Sequence, residues 1–309
     1  MVVIAAAYHE WIQSDGEERA RTNVEERERI LRLLRTKLSD HSKDSLREGI
    51  TEVDVRNAIV KTNREKAPGL DGILIELWKS LDDQYRDAVK RDEPETRCNI
   101  VWVLTQVYKD IENHGVDPTA GFSEGCMTLI YKKKNPDDIA NYWPIMLLNT
   151  DYKVSTKAIL MKLAEAMPDI IHRDQVGFMS GQSIFDQVKT SKLVIDYMER
   201  MNRKGVIVAL NQEKVYDKVI HPYLWAVLRK LEFPENFINT VATLYDGAMT
   251  AVMINGELSP SYRVTRGVRQ GDPLSCLLFN SVIEPLAEYI WRMNTLEGIP
   301  IPRRQEYLK

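Results

Sequence analysis

The feature that most constrains the fold is a short apolar run, Val206 to Leu210, which ends at the polar residue Asn211. A run of this length, rich in β-branched residues, predicts a buried strand. An aromatic residue, Tyr216, follows Asn211 after five positions. A polar side chain at the end of a rigid buried strand is well placed to hold a metal or a substrate. Taken alone, however, a strand followed by Asn and Tyr is common core architecture.

Composition indicates a globular protein with a large core. The chain has 309 residues, of which 44% are hydrophobic and 28% are charged, so one large or two ordinary domains are expected. The N-terminal apolar run, Val2 to Ala7, lacks a basic flank and is too short for a signal peptide or a membrane span. The three cysteines lie far apart without metal-ligand spacing. We therefore expect an intracellular protein, nuclear or cytoplasmic, that does not engage a membrane.

The overall charge does not by itself indicate a nucleic-acid-binding protein. The formal net charge is −3, whereas proteins that grip phosphate backbones usually carry a basic domain or face. Any one cluster of cations alone would be read as a solvated surface. The cations form three clusters: Lys132, Lys133 and Lys134; Arg200, Arg203 and Lys204; and Arg263, Arg266 and Arg269. The motifs around the first and third clusters favour a role in ligand binding.

Hydrophobic periodicity predicts a mixture of helices and strands. A charged helix is expected within residues 16–48, and Thr51 is expected to cap the next helix. Two strands, Met127 to Tyr131 and Ile145 to Leu148, would form a hairpin with lysines at its tip, and Asn255-Gly256 predicts a second reversal. Further helices are predicted at residues 97–113, 150–167, 183–201, 222–231 and 234–245, and from Asp272-Pro273 to about Met293.

Five segments carry motifs in a fixed order along the chain. The loop Arg266 to Ser275, followed by Leu277 to Asn280, contains glycines and enters a helix, so its backbone can approach a nucleotide closely. The other segments are Lys66 to Ile73, Thr128 to Lys134 with Asn141 to Lys153, Asp174 to Ser183, and residues 205–219. Together they resemble the reverse transcriptases of non-LTR (LINE-like) retrotransposons. In chain order they match the N-terminal extension motif, the fingers hairpin, the next fingers segment, and motifs A and B of the palm.

The resemblance implies a reaction and assigns roles to residues. The family copies an RNA template onto a DNA primer from deoxynucleoside triphosphates, with two Mg²⁺ ions held by carboxylates. Asn211 takes the place of a catalytic residue, Gln212 would supply a backbone carbonyl, and Tyr216 would exclude a ribose 2′-hydroxyl. The triphosphate would contact Lys132, Lys133, Lys134 and the residue at the position of Trp143. The incoming nucleotide would contact Gln270 and Gly271, and nucleic acid would contact Arg266, Arg269 and Gln182.

The sequence departs from the family at positions that carry its chemistry. Asn211 stands where the family has a metal-binding aspartate, and its amide offers Mg²⁺ one neutral oxygen instead of a bridging charge. Trp143 stands where an arginine contacts phosphate, and an indole cannot replace the guanidinium fork. Gln182 replaces a further arginine, and Leu70 and Cys276 replace prolines. Motif C, an aromatic-Ala-Asp-Asp sequence with the other metal ligands, is not found after motif A, so no metal site is expected to be intact.

We therefore predict a mixed α/β fold of the right-hand reverse transcriptase type, with fingers and a partial palm but no thumb. The expected domains are a helical N-terminal extension (residues 1–95), the fingers (96–204), and a partial palm that ends before motif C (205–309). The predicted function is that of an RNA-directed DNA polymerase domain that is inactive in this chain. Two alternatives stay open: a catalytically dead module that binds nucleic acid weakly or binds a protein, and a decayed element without a selected role.

Overall fold

The computed structural model describes residues 1–14, 24–117, 119–300 and 307–308, and combines helices with a small mixed sheet. The helices are α1 (Val2–Ser14), α2 (Val24–Leu33), α3 (Asp40–Arg47), α4 (Glu52–Lys61), α5 (Ile75–Lys90), α6 (Ile100–His114), α7 (Thr150–Ala166), α8 (Ile184–Arg200), α9 (His221–Lys230), α10 (Glu235–Tyr245) and α11 (Ser275–Arg292). The strands are β1 (Gly125–Tyr131), β2 (Tyr142–Leu148), β3 (Met249–Ile254), β4 (Glu257–Leu258), β5 (Tyr262–Arg263), β6 (Ile299–Pro300) and β7 (Tyr307–Leu308). The predicted mixed α/β fold is confirmed.

Local sequence signals explain where several helices begin and end. Thr51 caps α4 as predicted, because its hydroxyl accepts from the Asp54 amide while the Asp54 carboxylate accepts from the Thr51 amide at 2.9 Å. This reciprocal pair satisfies two amides that the helix itself leaves without partners. Asn99 caps α6 in a similar way, and α6 ends at Gly115, whose φ of 92° suits a residue without a side chain.

The charged helix predicted within residues 16–48 is divided in the structure. It consists of α2 and α3, joined by a segment in which Leu34 and Leu38 are buried. Burial of these two leucines turns the chain toward the core, which a continuous exposed helix would not allow. The part of the prediction that covers residues 16–23 lies outside the described residues.

The last long helix, α11, begins at Ser275 and not at Asp272-Pro273 as predicted. The Asp272 carboxylate accepts from the Leu274 amide at 3.0 Å and from the Tyr152 hydroxyl at 3.1 Å. Residues 272–274 therefore form a turn that is held to the core before the helix starts.

The sheet has the strand order β2-β1-β3-β4, with β5 paired to β3. Strands β1 and β2 form the predicted antiparallel hairpin, and β1 runs parallel to β3 with Gly125 opposite Thr250. The predicted reversal at Asn255-Gly256 joins β3 to β4, and both residues have positive φ, 53° and 84°, as a tight hairpin turn requires. The short β5, Tyr262–Arg263, follows and pairs with β3 on the same side as β4.

The segment Val206 to Leu210 is not the buried strand that its composition predicts. It has no assigned strand structure, and its exposed aliphatic side chains range from Ile207, 65% exposed, to Val206, 85% exposed. Among the described residues no strand pairs with it, because β1 and β3 pair with each other in parallel. An extended segment needs a neighbour to satisfy its backbone groups, so apolar composition alone does not place it in the sheet. Helix α8, which precedes it, likewise has no buried residue.

The core lies where α7 packs against α4, and the same cluster of buried side chains includes Met127, Leu148 and Val252 of the sheet. Tyr108 and Tyr152 are fully buried at its centre, and the Tyr108 hydroxyl donates to the Asp151 carbonyl at 2.8 Å. Within the ranges that the structure describes, no helix is both long enough and apolar enough to cross a bilayer. The finer division into three predicted domains stays a prediction.

Candidate nucleotide-binding site

The β1–β2 hairpin carries three exposed lysines at its tip. The register places Tyr131 opposite Tyr142, and the next pair toward the sheet is Ile130 and Trp143. The Tyr131 hydroxyl donates to the Lys134 carbonyl at 2.6 Å, and the Tyr142 hydroxyl donates to the Pro136 carbonyl at 2.9 Å. These two bonds tie the loop to the strands, so the lysine-bearing tip is supported by its own aromatic residues.

The loop that resembles motif B lies directly on the free edge of β2. The Met146 amide donates to the Gln270 carbonyl at 2.7 Å. Gly271 follows with a φ of 123°, and a Cβ on it would lie 2.3 Å from the Met146 carbonyl oxygen. A side chain cannot occupy that space, which is why glycine is required here. The structure thus places Gln270 and Gly271 against the hairpin; their contact with a nucleotide stays a prediction.

Trp143 completes the junction between the hairpin and this loop. Its indole Nε1–H donates to the Gln270 Oε1, and the Lys132 ammonium lies 5.3 Å from the centroid of its ring. The indole stands at the sequence position where the resemblance implies an arginine. It directs its one polar group at the neighbouring glutamine rather than at a ligand.

These elements enclose an open cavity of about 270 Å³. Its lining combines cations with aromatic and amide groups. The lining residues are His9, Lys132, Lys133, Lys134, Ala140, Asn141, Tyr142, Trp143, Pro144, Lys214, Asp217 and Gln270. Five of the predicted nucleotide-binding residues thus share one cavity, whereas Gly271 faces a second cavity on the other side of the loop.

The turn after Asn211 is held to the motif B loop through backbone bonds. The Val268 amide donates to the Tyr216 carbonyl at 2.8 Å, and the Gly267 amide donates to the Val219 carbonyl at 2.7 Å. The Tyr216 ring stacks on Phe279 with centroids 4.9 Å apart. Burial, and then the neighbouring Cys276, raise the pKa of the Tyr216 hydroxyl, so this group is neutral at physiological pH.

Asn211 and Gln212 themselves are exposed in the unpaired segment and do not line the cavity. Asn211 offers one neutral oxygen, whereas a pair of divalent ions requires charged bridging ligands. Asp217, the acidic residue of this turn that lines the cavity, has its pKa raised by burial despite the Lys214 ammonium. Among the described residues no group of three or more His, Cys, Asp and Glu side chains converges as metal ligands do. The donors present do not fit the metal pair of the family.

The N-terminal helix α1 is a part of the site that sequence reasoning missed. The Lys214 ammonium donates to the Tyr8 hydroxyl and lies 4.2 Å from the centroid of that ring. The next residue, His9, is buried and lines the cavity; burial first, and then Lys214, lower its pKa to about 4. No motif in residues 2–14 signals this contact, because α1 reaches the site only through tertiary packing on β3 and β5.

Two of the residues predicted to contact nucleic acid are buried. Arg269 donates to the Met249 carbonyl at 2.9 Å, and Arg266 donates to the Ile12 carbonyl. Each side chain is less than 5% exposed, so in this structure both guanidinium groups hold backbone segments together inside the protein. Gln182 is exposed and lies outside the cavity. Contact of these three residues with nucleic acid stays a prediction.

Comparison with known proteins identifies the family. A family model described as "Reverse transcriptase (RNA-dependent DNA polymerase)" matches residues 131–295, more than half of the chain. The "Transposon TX1 uncharacterized 149 kDa protein" of Xenopus laevis is 32% identical over 248 residues, which cover 80% of this chain and 18% of that protein.

Two further relatives are Pol polyproteins of R2 elements. The protein from the "type-2 retrotransposable element R2DM" of Drosophila melanogaster is 32% identical over 112 residues, covering 36% of this chain and 11% of that protein. The protein from the "type-1 retrotransposable element R2" of Nasonia vitripennis is 24% identical over 260 residues, covering 79% and 25%. The chain spans a quarter or less of the length of these three relatives. Members of the matched family copy a nucleic-acid template from nucleotide substrates with divalent metal ions. The chain belongs to the reverse transcriptase family and is a reverse transcriptase domain of the non-LTR retrotransposon type.

Proposed function

We propose that this domain retains a binding site for nucleotides and nucleic acid but does not catalyse RNA-templated DNA synthesis. The observation that carries the proposal is Asn211, an exposed amide where the family has a metal-binding aspartate. In the family, Mg²⁺ ions would activate the primer hydroxyl and stabilise the leaving phosphates. A neutral amide supplies one weak oxygen ligand and no charge to bridge two such ions.

The second support for inactivity is the change at Trp143. A guanidinium offers charged donors in a fixed fork that matches phosphate oxygens, whereas the only donor of the indole is engaged with Gln270. The exposed ammonium groups of Lys132, Lys133 and Lys134 still attract phosphates through their charge, but as separate point charges. We therefore expect nucleotide binding that is weak and sensitive to salt.

The proposal assigns a role to each part of the site. Lys132 to Lys134 approach the phosphates, Gln270 faces the nucleotide, and Gly271 leaves room for the backbone of the loop against β2. Tyr216, stacked on Phe279, would exclude a ribose 2′-hydroxyl. For the whole chain we propose the division that the family resemblance implies: an N-terminal extension (residues 1–95), fingers (96–204) and a partial palm (205–309). The ligands of these parts would be an RNA template and a DNA primer.

A primer-extension assay tests the proposed inactivity. The purified 309-residue chain is incubated with a primed RNA template, the four deoxynucleoside triphosphates and Mg²⁺, and we expect no templated incorporation. We expect the same for Asn211→Asp alone, because that change leaves Trp143 in place of the phosphate-binding arginine. Templated, Mg²⁺-dependent extension by the unaltered chain would refute the proposal. Extension by the single variant would show that Asn211 was the only defect.

A module that binds nucleic acid without catalysis is the form of this function that the lysine-bearing tip favours. None of Lys132, Lys133 and Lys134 forms an ion pair among the described residues, so their charge is available to phosphates. A salt-dependent shift of an RNA–DNA duplex in a gel would support it. Absence of binding at low salt would instead favour a decayed element. A non-cooperative thermal melt would favour it too, because α8 and residues 206–210 expose apolar side chains.

A further inference from the structure

The indole of Trp143 is held by its edge, is half exposed to solvent, and has the Lys132 ammonium over its ring. Its Nε1–H bond to the Gln270 side chain fixes the orientation of the ring, and 53% of the residue is exposed to solvent. An exposed ring with a fixed orientation presents a flat face without losing rotamer freedom on binding. Such a face fits a planar, unsaturated partner.

We propose that the tip of the β1–β2 hairpin binds single-stranded nucleic acid, with an unpaired base stacked on Trp143 and the adjoining phosphates beside Lys132, Lys133 and Lys134. This inference rests on the proposed nucleic-acid binding of the domain, and it adds the location and the mode of that binding. It also gives a function to the substitution that removes the family's arginine. The position that no longer supplies a phosphate ligand supplies a stacking platform instead.

The position of Lys132 near Trp143 would let one nucleotide contact both residues, with its base on the indole and its phosphate beside the ammonium. Its ammonium lies 5.3 Å from the centroid of the Trp143 ring, so the cation and the ring face are presented together. A nucleotide carries its phosphate about one sugar away from its base, and grooves for single strands combine stacking rings with cations in this way. The ammonium groups of Lys133 and Lys134 line the same cavity and extend the positive surface along the tip.

A second aromatic platform lies on the opposite face of the hairpin. Neighbouring cross-strand pairs point to opposite faces, so the Tyr131–Tyr142 pair and the Ile130–Trp143 pair lie on different sides. The rings of Tyr131 and Tyr142 pack with centroids 5.5 Å apart. Their hydroxyls are bonded to loop carbonyls, so these rings are fixed as well. The tip therefore carries fixed rings from both cross-strand pairs near its three lysines.

The chemistry at the tip favours a single strand over a free triphosphate. A triphosphate concentrates its charge in one small group, and the fork of donors that would hold it is absent. A single strand instead spreads its phosphates along a backbone and offers several bases, which matches ammonium groups on successive residues and rings on two faces. Stacking is tolerant of base identity, so the site would select single-stranded character and not a sequence.

The test measures the binding of the full 309-residue chain to fluorescein-labelled single-stranded oligouridine and oligothymidine by fluorescence anisotropy. Trp143→Ala is expected to weaken binding to both by roughly 5- to 150-fold, the effect of removing the ring under one stacked base. The matched control is Trp102→Ala, because Trp102 is exposed to a similar extent, 51%, but lies on α6 outside the cavity. The control should bind as the unaltered chain does.

Two further measurements complete the test. Trp143→Phe keeps a ring face without the indole donor and should retain most of the affinity, and far-UV circular dichroism of each variant shows that it is folded. Replacing Lys132, Lys133 and Lys134 by alanine together should lower the slope of log affinity against log salt by about 2, because each phosphate that a cation neutralises on a single strand contributes roughly 0.7 to that slope.

The outcomes separate this inference from the proposed function. If the unaltered chain shifts an RNA–DNA duplex at low salt but binds neither oligonucleotide, only the single-strand inference is refuted; if it binds neither the duplex nor the oligonucleotides, the proposed nucleic-acid binding is refuted as well. If it binds and a folded Trp143→Ala variant binds equally well, only the stacking site is refuted. Displacement of the oligonucleotide by dTTP at equal phosphate concentration would show that the site selects a triphosphate, and would also refute the single-strand inference.

Discussion

Glu284 provides a prediction whose magnitude follows from the structure. This residue lies on α11, is only 3% exposed, and faces the turn that contains His172. Burial, opposed by a hydrogen bond to the His172 backbone, and the nearby Glu288 raise the pKa of its carboxyl from the usual 4.5 to about 7. Glu288 itself accepts from Arg292 at 2.7 Å. The protein therefore stabilises the neutral form of one buried acid.

The raised pKa determines how the stability of the protein changes with pH. The contribution of neutral Glu284 to stability is fully present below about pH 4.5 and is lost as the pH rises through about 7. The difference between the two pKa values corresponds to ~3 kcal/mol, at ~1.4 kcal/mol per pH unit. Glu284→Gln has nearly the same shape and does not ionise. We expect the variant and the unaltered chain to be equally stable near pH 4.5, and the variant to be more stable by up to ~3 kcal/mol at pH 8.

The assay is urea unfolding at intervals between pH 4.5 and 8, with the free energy of unfolding of each protein compared at every pH. The difference between the two free energies of unfolding removes the effect of titratable groups that both proteins share. Glu257→Gln, at an exposed position in β4, is the matched control and should show no such trend. A difference for Glu284→Gln that stays constant within roughly 0.5 kcal/mol over this range would refute the reasoning.

Two further predictions concern the contacts that form the candidate site. Burial lowers the pKa of His9 to about 4, so the docking of α1 should be stable above about pH 6.5 and weaken as the pH falls through about 4. Hydrogen exchange of the α1 amides should show this loss of docking. Equal protection of these amides at pH 7 and pH 4 would contradict the prediction. Gly271→Ala should destabilise the protein by about 2 kcal/mol more than Gly72→Ala. Both positions have positive φ, but only at Gly271 would the new Cβ meet a backbone oxygen, that of Met146. Equal melting temperatures for the two variants would show that the loop moves away freely.

Short-range signals predict the structure correctly where the physics is local. Thr51 caps its helix with Asp54, three positions later, and Asn255-Gly256 makes a turn that only positive φ values allow. The hairpin with lysines at its tip is also predictable, since its strands are close in sequence. Each of these features is decided by residues within about twenty positions of one another.

Features that depend on distant partners are not predictable in the same way. The apolar run Val206 to Leu210 has the composition of a strand, but a strand also needs a neighbour, and β1 is paired with β3 instead. Arg266 and Arg269 look like surface cations in the sequence, yet the structure buries both against backbone carbonyls. No local pattern distinguishes a buried guanidinium from an exposed one.

The sequence by itself determined the family and the side chains that this chain can offer, because both depend on the identity of residues: Asn211 where the resemblance implies a carboxylate, Trp143 where it implies a guanidinium, and Gln270 beside glycine. Only the tertiary structure decided how those residues are used. It bonds the indole to Gln270, places the Lys132 ammonium over the ring, and brings α1 to the same cavity. The contacts of Trp143 with Gln270 and of α1 with Lys214 join segments more than one hundred residues apart, which no short window of sequence contains.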